Sequence, residues 1–208
     1  MSSSIELDIT CEACGKEFTG TVWTAIHAKQ DPELKEILLG GELNLLMCPT
    51  CSHVAYEDHF ILYQDPAAEV VAYIYPPSQE RDAEFLRRTM MTNFKEAQEV
   101  FPPKERKDYD PILIFGLETF VEMMQEESAR AEQSQIAEAI CKEKGIPYQK
   151  LRPSEARRLE TVRVIPGAKR ENAEILKGIK DLLGVDPALD LYVKLAESVS
   201  ARTIPLAL

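Results

Sequence analysis

Long apolar runs are missing from this chain of 208 residues, and so are the glycine patterns by which many nucleotide-binding enzymes announce themselves. No stretch approaches the roughly 20 consecutive apolar residues that a helix needs to cross a bilayer, so no membrane-spanning helix is expected. The opening MSSSIELDIT lacks the basic and then apolar order of a secretory signal, which points to the cytoplasm and a reducing compartment. No P-loop, dinucleotide-binding glycine pattern, nucleophile elbow or HExxH is present, and with them go the usual sequence grounds for assigning an activity. Internal repeats and low-complexity tracts are also lacking. Basic residues are scarce where it matters most: residues 1 to 76 hold three lysines, no arginine and twelve acidic residues, a net −9 of the chain's −11. Such a segment is repelled by phosphate backbones, so nucleic acid is not an expected partner.

What remains is the composition of a soluble globular protein, 45% hydrophobic and 28% charged, long enough for one ordinary domain or two small ones. IELDIT alternates like a strand, EFTGTVWTAIHA reads as a second, and ELNLLM as a third. DPELKEILLGG reads as a short helix, with Asp31 as N-cap, Pro32 at its first position, and glycines at the exit. VAYEDHFILYQ and EVVAYIYPP flank Asp65-Pro66 and suggest an antiparallel hairpin. From Ser78 the pattern turns helical. Phe85, Leu86, Met90, Phe94 and Ala97 mark one helix that ends by Pro102-Pro103, and a second is expected from Asp110-Pro111 to Lys144-Gly145. Two short extended segments around IPYQKLRPSEARRLETVRVIPG and two closing helices complete the reading. The expected architecture is α+β: a zinc-ribbon-containing antiparallel sheet over residues 1–77, followed by a mainly helical region over 78–208, either separate or packed with the first as one domain.

Five cysteines in a reducing compartment are expected to be ligands, catalytic groups or free thiols in preference to disulfides. Four fall into two pairs, Cys11-x2-Cys14 and Cys48-x2-Cys51, separated by 33 residues. A two-residue gap lets one tight turn direct both sulfurs at one ion, and two such turns make the sequence form of a tetrahedral four-thiolate zinc site. Gly15 follows the first pair, where a positive φ is often required. Ser52 occupies the same place after the second, at modest strain. Pro49 pre-organises that second turn. The C-P-x-C order also occurs in dithiol oxidoreductases, whose first cysteine opens a helix, but SHVAYEDHFILY looks like strand. A redox dithiol and plain structural thiols stand as the alternatives to a metal. Four protein ligands would fill the coordination sphere, so such a zinc organises the fold and does not catalyse hydrolysis.

With both knuckles, DPELKEILLGGELNLLMCPTC and ILYQD assembled, the chain resembles the prokaryotic CpXC domain family over roughly residues 8 to 130, most strongly from 11 to 76. That family is named for a Cys-Pro-x-Cys motif, which it pairs with a second CxxC. The resemblance maps its four cysteines onto Cys11, Cys14, Cys48 and Cys51 and implies no particular reaction. Here the first pair lacks the proline, having Glu12 and Ala13, and Ser52 replaces a glycine often seen after the second. Neither departure touches a sulfur.

Other residues are weighed against plainer roles. His53 could assist or replace a ligand, but a surface role is preferred. Glu57 and His59 would share one strand face, and a solvated face is the preferred reading over a catalytic cluster. Trp23, Tyr56, Tyr63, Tyr73 and Tyr75 could form an aromatic platform, with sheet packing preferred, and Cys141 reads as a small core residue. The expectation is therefore a cytoplasmic, non-enzymatic zinc protein binding another protein as an adaptor, with homo-oligomerisation left open. A thiol-based redox sensor, or an enzyme with its site away from the zinc, is the alternative.

Overall fold

The computed structural model describes residues 1–169 and 171–201. Elements run in the order β1 (Ser3–Thr10), β2 (Glu17–His27), α1 (Pro32–Leu39), β3 (Leu45–Met47), β4 (Val54–Tyr56), β5 (Ile61–Asp65), β6 (Val70–Tyr75), α2 (Ala83–Glu99), β7 (Ile112–Phe115), α3 (Leu117–Lys144), β8 (Tyr148–Lys150), α4 (Pro153–Arg158), β9 (Val164–Pro166), α5 (Asn172–Leu183) and α6 (Asp190–Ser200). The class is α+β. The chain divides into two compact units, residues 1–124 and residues from 125 onward.

The first unit is built on a five-stranded sheet of order β1-β2-β5-β6-β7. It is mixed, not antiparallel as expected: β2 with β5 and β6 with β7 run parallel, while the β1–β2 and β5–β6 pairs are antiparallel. Parallel neighbours need long crossovers, and the chain supplies them through α1 with the β3–β4 hairpin, and through α2. Ile26, Leu38, Tyr63, Ile74 and Phe120 fill one face of the sheet. On the other, Leu86, Met90 and Phe94 of α2 are the helix's buried residues, and Met90 and Phe94 pack against Val71 and Tyr73. Each large side chain removed from water in this way contributes roughly 1.5–3 kcal/mol. The expected members Phe85 and Ala97 are exposed, so the buried stripe of α2 is narrower than its apolar content suggests.

Three local expectations are corrected. Residues 112–115 form strand β7, and the helix begins at Leu117; a four-residue apolar run fits strand and helix equally until β6 offers it an edge. Gly116, at φ +87°, makes the turn between strand and helix, and its N–H donates to Tyr75 O at 2.9 Å. Second, VAYEDHFILYQ is two strands in two different sheets, separated at 57–60. Third, Asp31 makes no side-chain cap bond to α1. Its carboxylate instead accepts from Ser2 N–H at 3.2 Å and Ser2 Oγ at 2.6 Å, which holds the start of β1. The composition change at 77/78 falls where β6 gives way to helix, while the first unit continues because β7 belongs to its sheet.

In the second unit, β8 and β9 pair antiparallel beside α5 and α6, and Ala137, Cys141, Ile175, Ile179, Leu182 and Tyr192 lie in one core. Cys141 is fully buried there, as the helical spacing indicated. Gly178 of α5 lies so close to β9 that a Cβ on it would meet Pro166 Cβ at 2.6 Å. Buried Glu127 accepts from Arg130 at 2.7 Å, Arg163 at 3.2 Å and Arg157 at 3.4 Å, tying α3 to α4 and to the approach to β9.

Candidate metal centre

Both CxxC pairs lie in hairpin turns, the first joining β1 to β2 and the second β3 to β4. The turns share one hydrogen-bond pattern. Cys11 N–H donates to Lys16 O at 2.9 Å and Gly15 N–H to Cys11 O at 2.8 Å. Cys48 N–H donates to His53 O at 2.8 Å and Ser52 N–H to Cys48 O at 2.9 Å. Each turn closes through a left-handed residue, Gly15 at φ +68° and Ser52 at φ +59°. Ser52 thus adopts the strained conformation expected of it.

The second hairpin sits over the first through Leu46, whose methyls lie where a side chain on Gly20 would be. A residue that sequence reasoning passed over anchors it. Asn44, buried and at φ +61°, accepts from Trp23 N–H through Oδ1 at 2.7 Å and donates from Nδ2 to Trp23 O at 3.1 Å. Pairing of β2 with β5 begins only at Ala25, and Asn44 satisfies the strand edge before that point. Its own carbonyl accepts from Glu57 N–H at 2.9 Å. A lone asparagine inside the apolar ELNLLM was the signal available.

The four sulfurs lie within 4.8 Å of one another. The short separations cross between knuckles: Cys11 to Cys51 at 3.6 Å and Cys14 to Cys48 at 3.8 Å. A disulfide would need about 2.05 Å, whereas a tetrahedral ion at about 2.3 Å from each thiolate sets its ligands about 3.8 Å apart. The donor set fits a metal ion. Cys11 and Cys48 are buried, and Cys14 and Cys51 are exposed.

Electrostatics agree with that fit. Burial opposes ionisation of Cys48, but the N–H groups of Cys51 and Thr50, together with the Cys11 and Cys51 thiols, bring it down to about 6. For Cys51, the His53 N–H favours the thiolate, yet burial and the three neighbouring thiols push it up to about 12. Cys14 is likewise raised, despite the Lys16 N–H that favours its thiolate, by burial and by Cys11 and Cys48. Four sulfurs this close ionise together only around a cation.

The model of the family described as CpXC protein matches residues 9–170, more than three quarters of the chain. The chain belongs to the CpXC family. The match takes in both knuckles of this CpXC chain and extends well past residue 130, the bound expected from the resemblance. No match was found among curated proteins or solved structures.

The other candidates of the CpXC chain disperse. Glu57 and His59 fall in the break between β4 and β5 and share no strand face. His53 offers its carbonyl to Cys48 and is among the residues lining a small cleft beside Cys11 and Cys48. The aromatics form no single platform: Tyr63 and Tyr73 belong to opposite faces of the sheet, Tyr63 against Phe120 at 4.8 Å and Tyr73 against Phe60 at 6.0 Å. No described helix is long and apolar enough to cross a membrane.

Proposed function

We propose that Cys11, Cys14, Cys48 and Cys51 bind one zinc ion and that the protein is a non-enzymatic adaptor whose metal holds the two hairpins in place for contact with another protein. The geometry of the four sulfurs carries this reading. Four thiolates fill the sphere of a tetrahedral ion and leave no position for the water that a catalytic zinc activates. An exposed apolar strip supports the adaptor role: Leu45 lies opposite Tyr56 and Met47 opposite Val54 on the outer face of the second hairpin. Contiguous exposed apolar surface of this kind marks contact sites. The acidic first third disfavours nucleic acid, and cysteines outside disulfides suit the reducing cytoplasm. Metal analysis of the purified chain is expected to give one zinc per molecule. Cys48→Ser is expected to lose it and loosen the hairpins, and an unchanged stoichiometry would overturn the ligand assignment.

A second reading, a thiol-based redox sensor, is favoured by the exposure of Cys14 and Cys51, which leaves half of the cluster open to oxidants. Mild peroxide treatment distinguishes the two. Zinc retained with all four thiols still reduced rejects the sensor.

A further inference from the structure

A cleft of about 110 Å³ opens between the knuckle hairpins, immediately beside the sulfur cluster. Its lining is mixed, with Phe18 of β2, Leu46 of β3, and Ala55 and Tyr56 of β4 beside the acidic residues Glu12 and Glu57. Neither carboxylate has an ion-pair partner among the described residues.

Size and charge narrow the occupant. Small-molecule sites are typically about 300–1,000 Å³, and this cleft is well below that range. That room is on the scale of one side chain and not of a whole small-molecule ligand. Apolar side chains and carboxylates on the same cleft suit a side chain with a long methylene stem and a cationic head, which buries its stem and keeps its charge near water. The surroundings reinforce this selection, since residues 1–76 carry −9 and four thiolates around a divalent ion would add −2. The exposed strip of Leu45, Met47, Val54 and Tyr56 adjoins the cleft through Tyr56, which belongs to both.

We propose that this cleft is a receptor for a lysine or arginine side chain of a partner polypeptide, whose neighbouring apolar residues lie along the Leu45–Met47–Val54–Tyr56 strip. The inference rests on the adaptor reading and gives its partner a chemistry: an exposed segment in which a basic residue is flanked by apolar ones.

The test uses the full metal-loaded chain, isotopically labelled, and three blocked pentapeptides of sequence Ala-Leu-X-Leu-Ala. X is lysine, norleucine (an uncharged aliphatic chain) or glutamate. The lysine peptide is expected to shift the amide resonances of Phe18, Ala55, Tyr56 and Glu57, to bind about fivefold more tightly than the norleucine peptide, and to weaken as salt rises. Combined Glu12→Gln and Glu57→Gln substitution is expected to abolish that preference. An unchanged spectrum outside the cleft and unchanged metal content would show that the variant remains folded. Equal binding of all three peptides, resonance shifts confined to other surfaces, or no binding of the lysine peptide overturns the proposal. Its failure is distinguishable from failure of the adaptor reading. A natural partner captured equally well by the double variant removes the cleft and leaves the adaptor, whereas a chain that engages no partner through any surface removes both.

Discussion

Replacing Ser52 by glycine is expected to stabilise the first unit, and replacing Gly15 by alanine to weaken it by a similar amount. The two residues hold equivalent places in their turns: each N–H donates to the carbonyl of its knuckle's first cysteine, and each is left-handed, at φ +59° for Ser52 and +68° for Gly15. A residue with a Cβ spends about 1–2 kcal/mol to hold that conformation. Glycine avoids the strain but loses about 0.5–1 kcal/mol more backbone entropy on folding. The difference leaves Ser52→Gly more stable by about 0.5–1 kcal/mol. The reciprocal change is clean, because no atom beyond its chain neighbours lies within 4 Å of a Cβ placed on Gly15, so any cost there is conformational and not steric. Urea unfolding of the metal-loaded proteins at one fixed free-metal concentration measures both, since metal binding to the folded state otherwise shifts the apparent stability. A destabilised Ser52→Gly, or a Gly15→Ala indistinguishable from the parent, would refute the claim that the two turns are conformational equivalents.

Three further outcomes are expected. Asn44→Ala should cost about 2–4 kcal/mol, because it strips both partners from the Trp23 backbone and places an alanine at positive φ; Asn44→Gly should recover only the conformational part, as read by denaturant unfolding, and full recovery would deny the hydrogen bonds their role. Glu127→Gln should destabilise by about 1.5–3 kcal/mol, because it removes the buried carboxylate that three partly buried arginines share, although Arg130 keeps Glu126; a thermal transition unchanged from the parent would contradict this. Burial disfavours the Asp65 carboxylate, but Lys35 at 2.8 Å and the N–H groups of Ala67 and Ala68 outweigh it and hold Asp65 below its ordinary value of 3.8. A group depressed on folding stabilises above its unfolded value and loses that contribution as pH falls through the folded one. Unfolding free energy should therefore drop on acidification below about pH 4, and Asp65→Asn should flatten that part of the profile.

The clustering of the four cysteines was legible because its spacing is dictated by chemistry. Two residues between cysteines and a glycine after the first pair are requirements of a turn that aims two sulfurs, and they are visible without knowledge of the rest of the chain. α1 was equally plain from Pro32 and its apolar spacing. What escaped depended on partners distant in sequence. Ile112–Phe115 is a strand because β6 offers a parallel edge, a fact absent from those four residues. Asp31 had the composition of a helix cap but met Ser2 instead, a contact across 29 positions. Asn44 acts through its side-chain amide on a backbone 21 residues away. The cleft could not be read from sequence either, since its two acidic residues lie 45 positions apart and meet only when one hairpin settles on the other.

The β3–β4 hairpin lies inside the connection that carries the chain from β2 to its parallel neighbour β5. An ion gripping both knuckles would therefore cinch a loop that contains α1. Bringing its ends together costs entropy that grows only logarithmically with length, but it must be spent before the parallel strands can reward it. Metal capture would do that closing early. The cysteines would then govern how quickly the sheet finds its order, as well as how firmly it is kept.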